Sequence, residues 1–384
     1  MRVVLDGRII LTRMTGAGRY VIELGSRMPA MDPDVQFDVL LRPELRGSDA
    51  ARTLAAAGAR IRYCEARVAS ASQWLEIPRL LHALRPDLYH YPFLDLPYVQ
   101  CRSVVTVYDL NPVLDSAYFA RWSRLKRLVA RRLLRSSLRR CRVAVTISEA
   151  TRRLLEEHFA EARGKTKTTP LALSSNFRVS VRGSASVRDD EGGQRVERSD
   201  ARPYILYVGV DRPHKNLVRL VRAFAVFREA EGWAPGLGPY LRLVGVGDGS
   251  PALRAELSES AAGSDVQTSG AVTEEFVAAA YRGASIVAYV STSEGFGLPI
   301  LEGFASGVPV LTANVSSMPE VGGDAALYVS PQDTRDIAFG LSRLWRDAGL
   351  RRRLVAAGAR RLHEFSWDAA ARATLAAYKE ATEH

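Results

Sequence analysis

The sequence predicts an α/β protein made of two doubly wound, parallel-sheet domains. Three observations carry that prediction. The chain has 384 residues, more than the roughly 250–300 at which a single hydrophobic core stops growing. Short β-branched runs alternate with longer helical patterns. The same alternation then starts afresh at Tyr204.

In the first half, Val3–Leu5, Phe37–Leu41, Leu88–His90, Val104–Val107 and Val143–Thr146 read as strands, being short, apolar and rich in β-branched residues,. Helical patterns fall near Tyr20–Met28, Trp74–Leu84 and Phe119–Arg140. Strands separated by helices are the βαβ signature of a parallel sheet. The second series runs Tyr204–Gly209, Leu241–Gly245, Val266–Gln267 and Ser285–Val290, with helices near Leu217–Glu229, Pro251–Ser260, Thr273–Tyr281 and Pro299–Ser306.

Between the two series, Ser174 to Arg202 holds Ser-Ala-Ser, Asp-Asp-Glu-Gly-Gly and scattered Arg without an apolar period, so it reads as an exposed linker,. The expected domains are residues 1–173 and 203–365, joined by 174–202. A terminal helix over 366–384, with Ser366 as its N-cap, is expected to pack back on the first domain.

Composition excludes several classes. With 47% hydrophobic and 25% charged residues the chain has the apolar content of packed domains,. The opening run is interrupted by Asp6 and no later stretch reaches ~18 apolar residues, so a cytoplasmic protein without a membrane span is expected,. Cys64, Cys101 and Cys141 are odd in number and lack metal-ligand spacing, which points to reduced thiols,. Asp32-Pro33-Asp34 has an Asp-x-Asp spacing but reads as a turn, and no metal is expected. The net charge of +11 calls for an acidic partner,. Without an aromatic-interleaved basic motif or a nucleic-acid module, nucleic acid is not expected to be that partner.

The strongest motif, Ser293-Glu294-Gly295-Phe296-Gly297-Leu298-Pro299-Ile300-Leu301-Glu302, directly follows a strand. Pro299 suits a first helical turn, so Gly295 to Leu298 form a tight turn with backbone N–H groups at a helix N-terminus, where phosphate or sugar oxygens bind. Glu294 at the strand end and Glu302, expected in the first helical turn, are placed to face one ligand. The bland reading is that Glu302 complements the helix dipole and Glu294 is solvated.

Glu294 and Glu302 around Gly-Phe-Gly-Leu-Pro resemble the donor-site motif of the group 1 glycosyltransferases, a retaining family of GT-B architecture with two Rossmann-like domains facing across a cleft. The resemblance implies that Glu294 contacts hydroxyls of the transferred sugar, that Glu302 holds the ribose hydroxyls, and that Gly295, Phe296, Gly297 and Leu298 bind sugar and phosphate. Val208-Gly209-Val210-Asp211-Arg212-Pro213-His214-Lys215-Asn216 is a second match. There the resemblance implies that Lys215 and Arg212, after the strand-ending Gly209, neutralise the donor diphosphate. A third, Thr15-Gly16-Ala17-Gly18, implies that Gly16 and Gly18 approach the donor phosphate; its bland reading is a simple turn before a helix. Tyr89-His90-Tyr91-Pro92, Val145-Thr146-Ile147-Ser148-Glu149-Ala150 and Asn314–Val321 also match. Ser148 reads as a helix N-cap, and Ser316–Glu320 resembles a loop near the nucleotide base.

One departure stands out. At Tyr108-Asp109 the family pattern has His before the Asp, where it touches donor sugar and phosphate; here Tyr108 takes that place beside Asp109.

The expected activity is transfer of a sugar, mannose first, from a nucleoside diphosphate-sugar to a hydroxyl of a glycan or lipid-linked acceptor, with retention, in surface-polysaccharide synthesis. No cofactor or metal is expected. A GT-B sugar-nucleotide epimerase and a non-catalytic nucleotide-sugar binding protein remain as alternatives. A dehydrogenase would need a third glycine after Gly16 and Gly18. Residues 119–142 carry ten Arg or Lys and no acid, including Arg127, Arg131 and Arg135. They suggest peripheral attachment to an anionic membrane.

Overall fold

The computed structural model describes residues 1–11, 15–114, 124–173 and 202–383. The chain divides into two compact units, Met1–Ser174 with Phe365–His384, and Ser175–Glu364. The linker expected at 174–202 lies outside the described residues except for Arg202, as do residues 119–123 of the basic segment.

The first unit holds seven strands: β1 (Arg2–Asp6), β2 (Gln36–Leu41), β3 (Arg60–Tyr63), β4 (Leu88–Tyr91), β5 (Arg102–Val107), β6 (Val143–Thr146) and β7 (Thr166–Thr168). They form one parallel sheet in the order β3-β2-β1-β4-β5-β6-β7. Helices on both faces bury Val4, Leu5, Tyr89, Val105 and Ala144 completely, which is why these strands read as continuous apolar runs.

The helix Gly16–Met31 starts at Thr15, whose hydroxyl accepts from Gly18 N at 3.1 Å, and buries Tyr20, Val21, Leu24 and Met28 along one stripe,. Ser148 caps Glu149–His158, accepting from Thr151 N at 3.0 Å. The terminal helix Trp367–Glu383 packs on Gly16–Met31 and on β4, β5 and β6. Ser366 Oγ accepts from Asp368 N at 3.2 Å at its start.

The second unit holds β8 (Tyr204–Val208), β9 (Tyr240–Val244), β10 (Val266–Ser269), β11 (Ile286–Tyr289), β12 (Val310–Ala313) and β13 (Ala326–Val329), parallel in the order β10-β9-β8-β11-β12-β13. This is the Rossmann strand order, and it reverses between β8 and β11. Ligands of such sheets bind outside the carboxyl ends of the strands at the reversal. Here those ends lead into Gly209–Lys215 and Val290–Glu294.

Four strands go beyond the sequence reading: β3, β7, β12 and β13. Arg60–Tyr63 alternates charge with apolar residues, and Thr166–Thr168 is polar throughout; both sit at sheet edges, where one side needs no apolar neighbour. The three cysteines are free thiols, and no described helix is long and apolar enough to cross a membrane.

Candidate active site

At the carboxyl end of β8 the chain turns sharply. Gly209 has φ +151°, and a Cβ there would stand 2.7 Å from the Tyr207 hydroxyl, so only glycine fits this close approach,. The single turn Pro213–Lys215 follows, and Asn216, in the left-handed region at φ 63°, ends it. The Asn216 amide donates to Val290 O at 2.9 Å and Pro331 O at 2.8 Å, while Thr292 N donates to His214 O at 2.7 Å. These bonds tie the loop after β8 to the loop after β11.

The tie brings Lys215 and Glu294 together. Lys215 Nζ lies 2.7 Å from Glu294 Oε1 and donates to the Tyr289 hydroxyl at 2.8 Å. Their side chains are 16% and 10% exposed, so the pair is poorly screened. Burial pushes the Glu294 carboxyl up, but the charge and hydrogen bond of Lys215 outweigh it and hold the group below its ordinary range,. Burial first, and the Glu294 charge second, push the Tyr289 hydroxyl well up, so it stays a neutral donor.

The turn after Glu294 is clamped from a third loop. Ser316 Oγ donates to Glu294 O at 2.7 Å; Ser317 Oγ donates to the same oxygen at 3.0 Å and to Phe296 O at 2.6 Å. Gly297, at φ +120°, is the N-cap of Leu298–Ala305, with Pro299 in its first turn,. Glu302 is therefore the fifth helical residue. The expectation of a first-turn position is corrected: the helix starts one residue before Pro299, and no acid occupies its first turn. Helix-dipole complementation thus does not explain Glu302. Glu302 Oε2 accepts from the buried Tyr281 hydroxyl at 2.7 Å. Tyr207 and Tyr289 stack with centroids 6.3 Å apart, forming an aromatic floor between these groups.

Arg212 is exposed and pairs with no carboxylate among the described residues, whereas its neighbour Asp211 accepts from Ser250 N at 2.6 Å. Gly295, Phe296 and Leu298 lie in the same turn as Glu294. The second unit thus brings together Gly209, Arg212, Lys215, Glu294, the turn 295–298 and Glu302.

Gly16, Gly18, Tyr108 and Asp109 belong to the first unit. A Cβ on Gly16 would meet nothing within 4 Å, so packing does not demand glycine there. Tyr108, just past β5, packs edge-on against Tyr20 with centroids 5.5 Å apart, and its buried hydroxyl has no hydrogen-bond partner among the described residues. Burial pushes that hydroxyl well above its ordinary pKa. Asp109 accepts from Asn111 N at 2.9 Å. Both line a cavity of about 630 Å3 with Asp95, Leu125, Val129 and Leu133.

His90 is a buried strut: Nε2 meets Thr106 Oγ1 at 2.7 Å and Nδ1 meets the Tyr378 hydroxyl at 2.6 Å, and burial lowers its pKa to about 3. Asp32 pairs with Lys379 at 2.8 Å, and no cluster of three metal-ligating side chains occurs among the described residues.

Sequence reasoning missed Tyr289 and Tyr281 as parts of the site, and took Asn216 and Ser317 only as members of matched segments, without the bonds they make. Both tyrosines sit at the ends of apolar runs and read as core. The available signal was their place beside the strand reversal, where an aromatic carries a polar tip.

Comparison with known proteins agrees with this architecture. Residues 190–361 match the model of glycosyl transferases group 1, and residues 14–173 match that of glycosyltransferase family 4. The O-antigen chain mannosyltransferase B of Escherichia coli is 27% identical over 339 residues, covering 79% of this chain and 80% of that protein. Among solved structures, sucrose-phosphate synthase from Thermosynechococcus elongatus superimposes with a TM-score of 0.71 at 20% identity, covering 98% of both chains. Anabaena HepE in complex with UDP and glucose does so with a TM-score of 0.66 at 15% identity, covering 99% of both. Two Rossmann-type sheets, an acidic turn and a basic loop at the reversal of the second, and two family matches that between them reach into both units make one assignment: the chain is a glycosyltransferase of GT-B fold, its second unit matching the group 1 glycosyltransferases and its first glycosyltransferase family 4.

Proposed function

We propose that this enzyme transfers a hexosyl group, mannose before other sugars, from a nucleoside diphosphate-sugar to a hydroxyl of a glycan or lipid-linked acceptor in surface-polysaccharide synthesis. The observation that carries the reading is the Lys215–Glu294 pair at the strand reversal, 2.7 Å apart and flanked by the 295–298 turn. A donor needs both partners. Its diphosphate takes Lys215 and Arg212, and its sugar hydroxyls take Glu294, so binding exchanges one internal ion pair for two charge-assisted contacts. Glu302 holds the ribose hydroxyls, and backbone N–H groups of the turn meet phosphate or sugar oxygens. The UDP named with HepE, and mannose in the name of the Escherichia coli relative, support donor class and sugar respectively.

Transfer proceeds with retention by front-face attack. The bond from C1 to the phosphate oxygen breaks while the acceptor oxygen bonds C1 on the same face, and the acceptor proton passes to the departing diphosphate. Such a step requires positioning and stabilisation of leaving-group charge rather than a protein nucleophile. Lys215 and Arg212 supply that charge without a metal. Tyr108 offers its unpaired hydroxyl to the transferred sugar, with Asp109 beside it. The apolar cavity next to them, with Leu125, Val129 and Leu133 on one side, supports the reading of an acceptor with a lipid part, used at the cytoplasmic face of a membrane,.

A thermal-shift series with UDP, GDP, ADP and their sugars is the first test, since a ligand of the native state raises stability by RT ln(1 + [L]/Kd). GDP and GDP-mannose are expected to give the largest shifts, and proton NMR of the first product to show the donor's anomeric configuration. A larger shift with another nucleotide-sugar removes the mannose assignment. An inverted anomer overturns the mechanism, as does activity lost in EDTA and restored by Mg2+ or Mn2+.

A further inference from the structure

At the end of the first sheet opposite Tyr108, the amino ends of β5 and β6 carry a concentration of positive charge that the proposed transfer reaction does not use. Arg102 opens β5, and Arg142 directly precedes β6; the strands are hydrogen-bonded neighbours here, with Arg142 N donating to Ser103 O at 2.8 Å. Arg139, Arg140 and Lys165 join them around a pocket of about 430 Å3 that no acidic side chain lines. Three of the five cations are tied down. Lys165 Nζ donates to Cys141 O at 2.9 Å, Arg140 donates to Pro97 O at 2.6 Å and lies over the Tyr98 ring, and Arg139 pairs with Glu161 at 3.1 Å. Arg102 and Arg142 are exposed, and no carboxylate among the described residues pairs with either.

Like charges held around one concavity repel one another; Glu161 neutralises Arg139, but the backbone carbonyls that hold Arg140 and Lys165 satisfy hydrogen bonds without neutralising their charge,. A solvated basic face would spread its arginines. Here two guanidinium groups from adjacent strands line one pocket with an ammonium fixed by the fold, and such N–H donors are the groups that receive a phosphate dianion. We propose that this pocket is a second anion site, separate from the donor site, in which Arg102, Arg142 and Lys165 hold a phosphate or diphosphate group. That group belongs either to a free phosphorylated ligand or to a lipid headgroup.

The test compares the full chain with two double variants of the exposed pair, Arg102→Ser/Arg142→Ser and Arg102→Lys/Arg142→Lys. Inorganic diphosphate is titrated calorimetrically, and vesicles of phosphatidylglycerol or phosphatidylcholine are co-sedimented at low salt. Nucleotide thermal shifts of all three proteins are expected to be equal, which separates this site from the donor site. Diphosphate affinity at least tenfold lower in the serine variant, and several-fold lower in the lysine variant, identifies a site for a free phosphorylated ligand. The same losses seen only with phosphatidylglycerol vesicles identify a headgroup site. Binding that the lysine variant retains in full marks diffuse attraction of a charged surface and overturns the proposal. So does binding that the serine variant retains, or an absence of binding in both arms.

Discussion

In the proposed reaction leaving-group charge grows beside Lys215, whose ammonium Tyr289 and Glu294 fix at 2.8 and 2.7 Å. Interactions stronger in the transition state than in the ground state raise kcat. Lys215→Ala is therefore expected to lower kcat on the order of 100-fold, the scale for losing one preorganised charge donor, with a smaller change in KM. Steady-state kinetics check it, and an unchanged kcat with raised KM would reduce Lys215 to ground-state binding. Tyr108 presents the opposite case, a buried hydroxyl that no described residue satisfies. A buried unpaired polar group costs about 1–3 kcal/mol. Tyr108→Phe is thus expected to leave stability unchanged or raised by roughly 1 kcal/mol, while slowing transfer and sparing free-nucleotide binding. Urea denaturation and turnover measured together decide it: loss of stability would make Tyr108 a packing residue.

The helix Arg124–Arg140 shows how an element's charge divides between internal and external use. Glu161 pairs with Arg135 at 3.3 Å and Arg139 at 3.1 Å, and Arg131 lies over the Phe159 ring at 5.5 Å. Part of the basic surplus expected to face a membrane is thereby committed within the unit. The lipid reading now rests on Leu125, Leu128 and Val129, exposed to 67%, 45% and 45%, beside the remaining cations. Leu125→Ser/Val129→Ser is expected to reduce co-sedimentation with anionic vesicles severalfold, and salt to weaken what remains. Binding equal to that of the wild type would remove this helix as the contact. Sequence periodicity shows which helices are amphipathic but not the acid a distant segment brings: Glu161 lies beyond β6, and only the sheet places it against Arg135 and Arg139.

At the scale of the molecule, the chain returns to its first unit at the end. Trp367, Ala371, Leu375 and Tyr378 are buried there. Tyr378 meets His90, Lys379 pairs with Asp32, Lys167 with Glu380 and Arg27 with Asp368. The terminal helix thus covers one face of the first sheet, and removing it would expose that face and leave His90 Nδ1 without its partner. Truncation after Glu364 is expected to unfold the first unit while the second retains its nucleotide-induced thermal shift, because each unit has its own core. Two-probe melting checks this; a first unit that melts as in the full chain would make the helix dispensable.

Much of this protein is legible in the order of its residues. Continuous apolar strands separated by amphipathic helices dictate two parallel sheets, since only strands covered on both faces lack alternation. The Glu294–Glu302 motif and the Gly209–Lys215 loop are legible as local patterns, and local hydrogen bonding and backbone conformation fix the Ser148 and Ser366 caps. Contacts between residues distant in sequence were decided only in three dimensions. Lys215 and Glu294 are 79 positions apart and meet because β8 and β11 are neighbours at the strand reversal. The partnership of Glu302 with Tyr281, the isolation of the Tyr108 hydroxyl and the gathering of Arg102 and Arg142 likewise depend on strand order. Periodicity reports which face of an element is apolar; which polar groups then share a buried space follows from packing, because their desolvation and pairing are properties of the assembled neighbourhood.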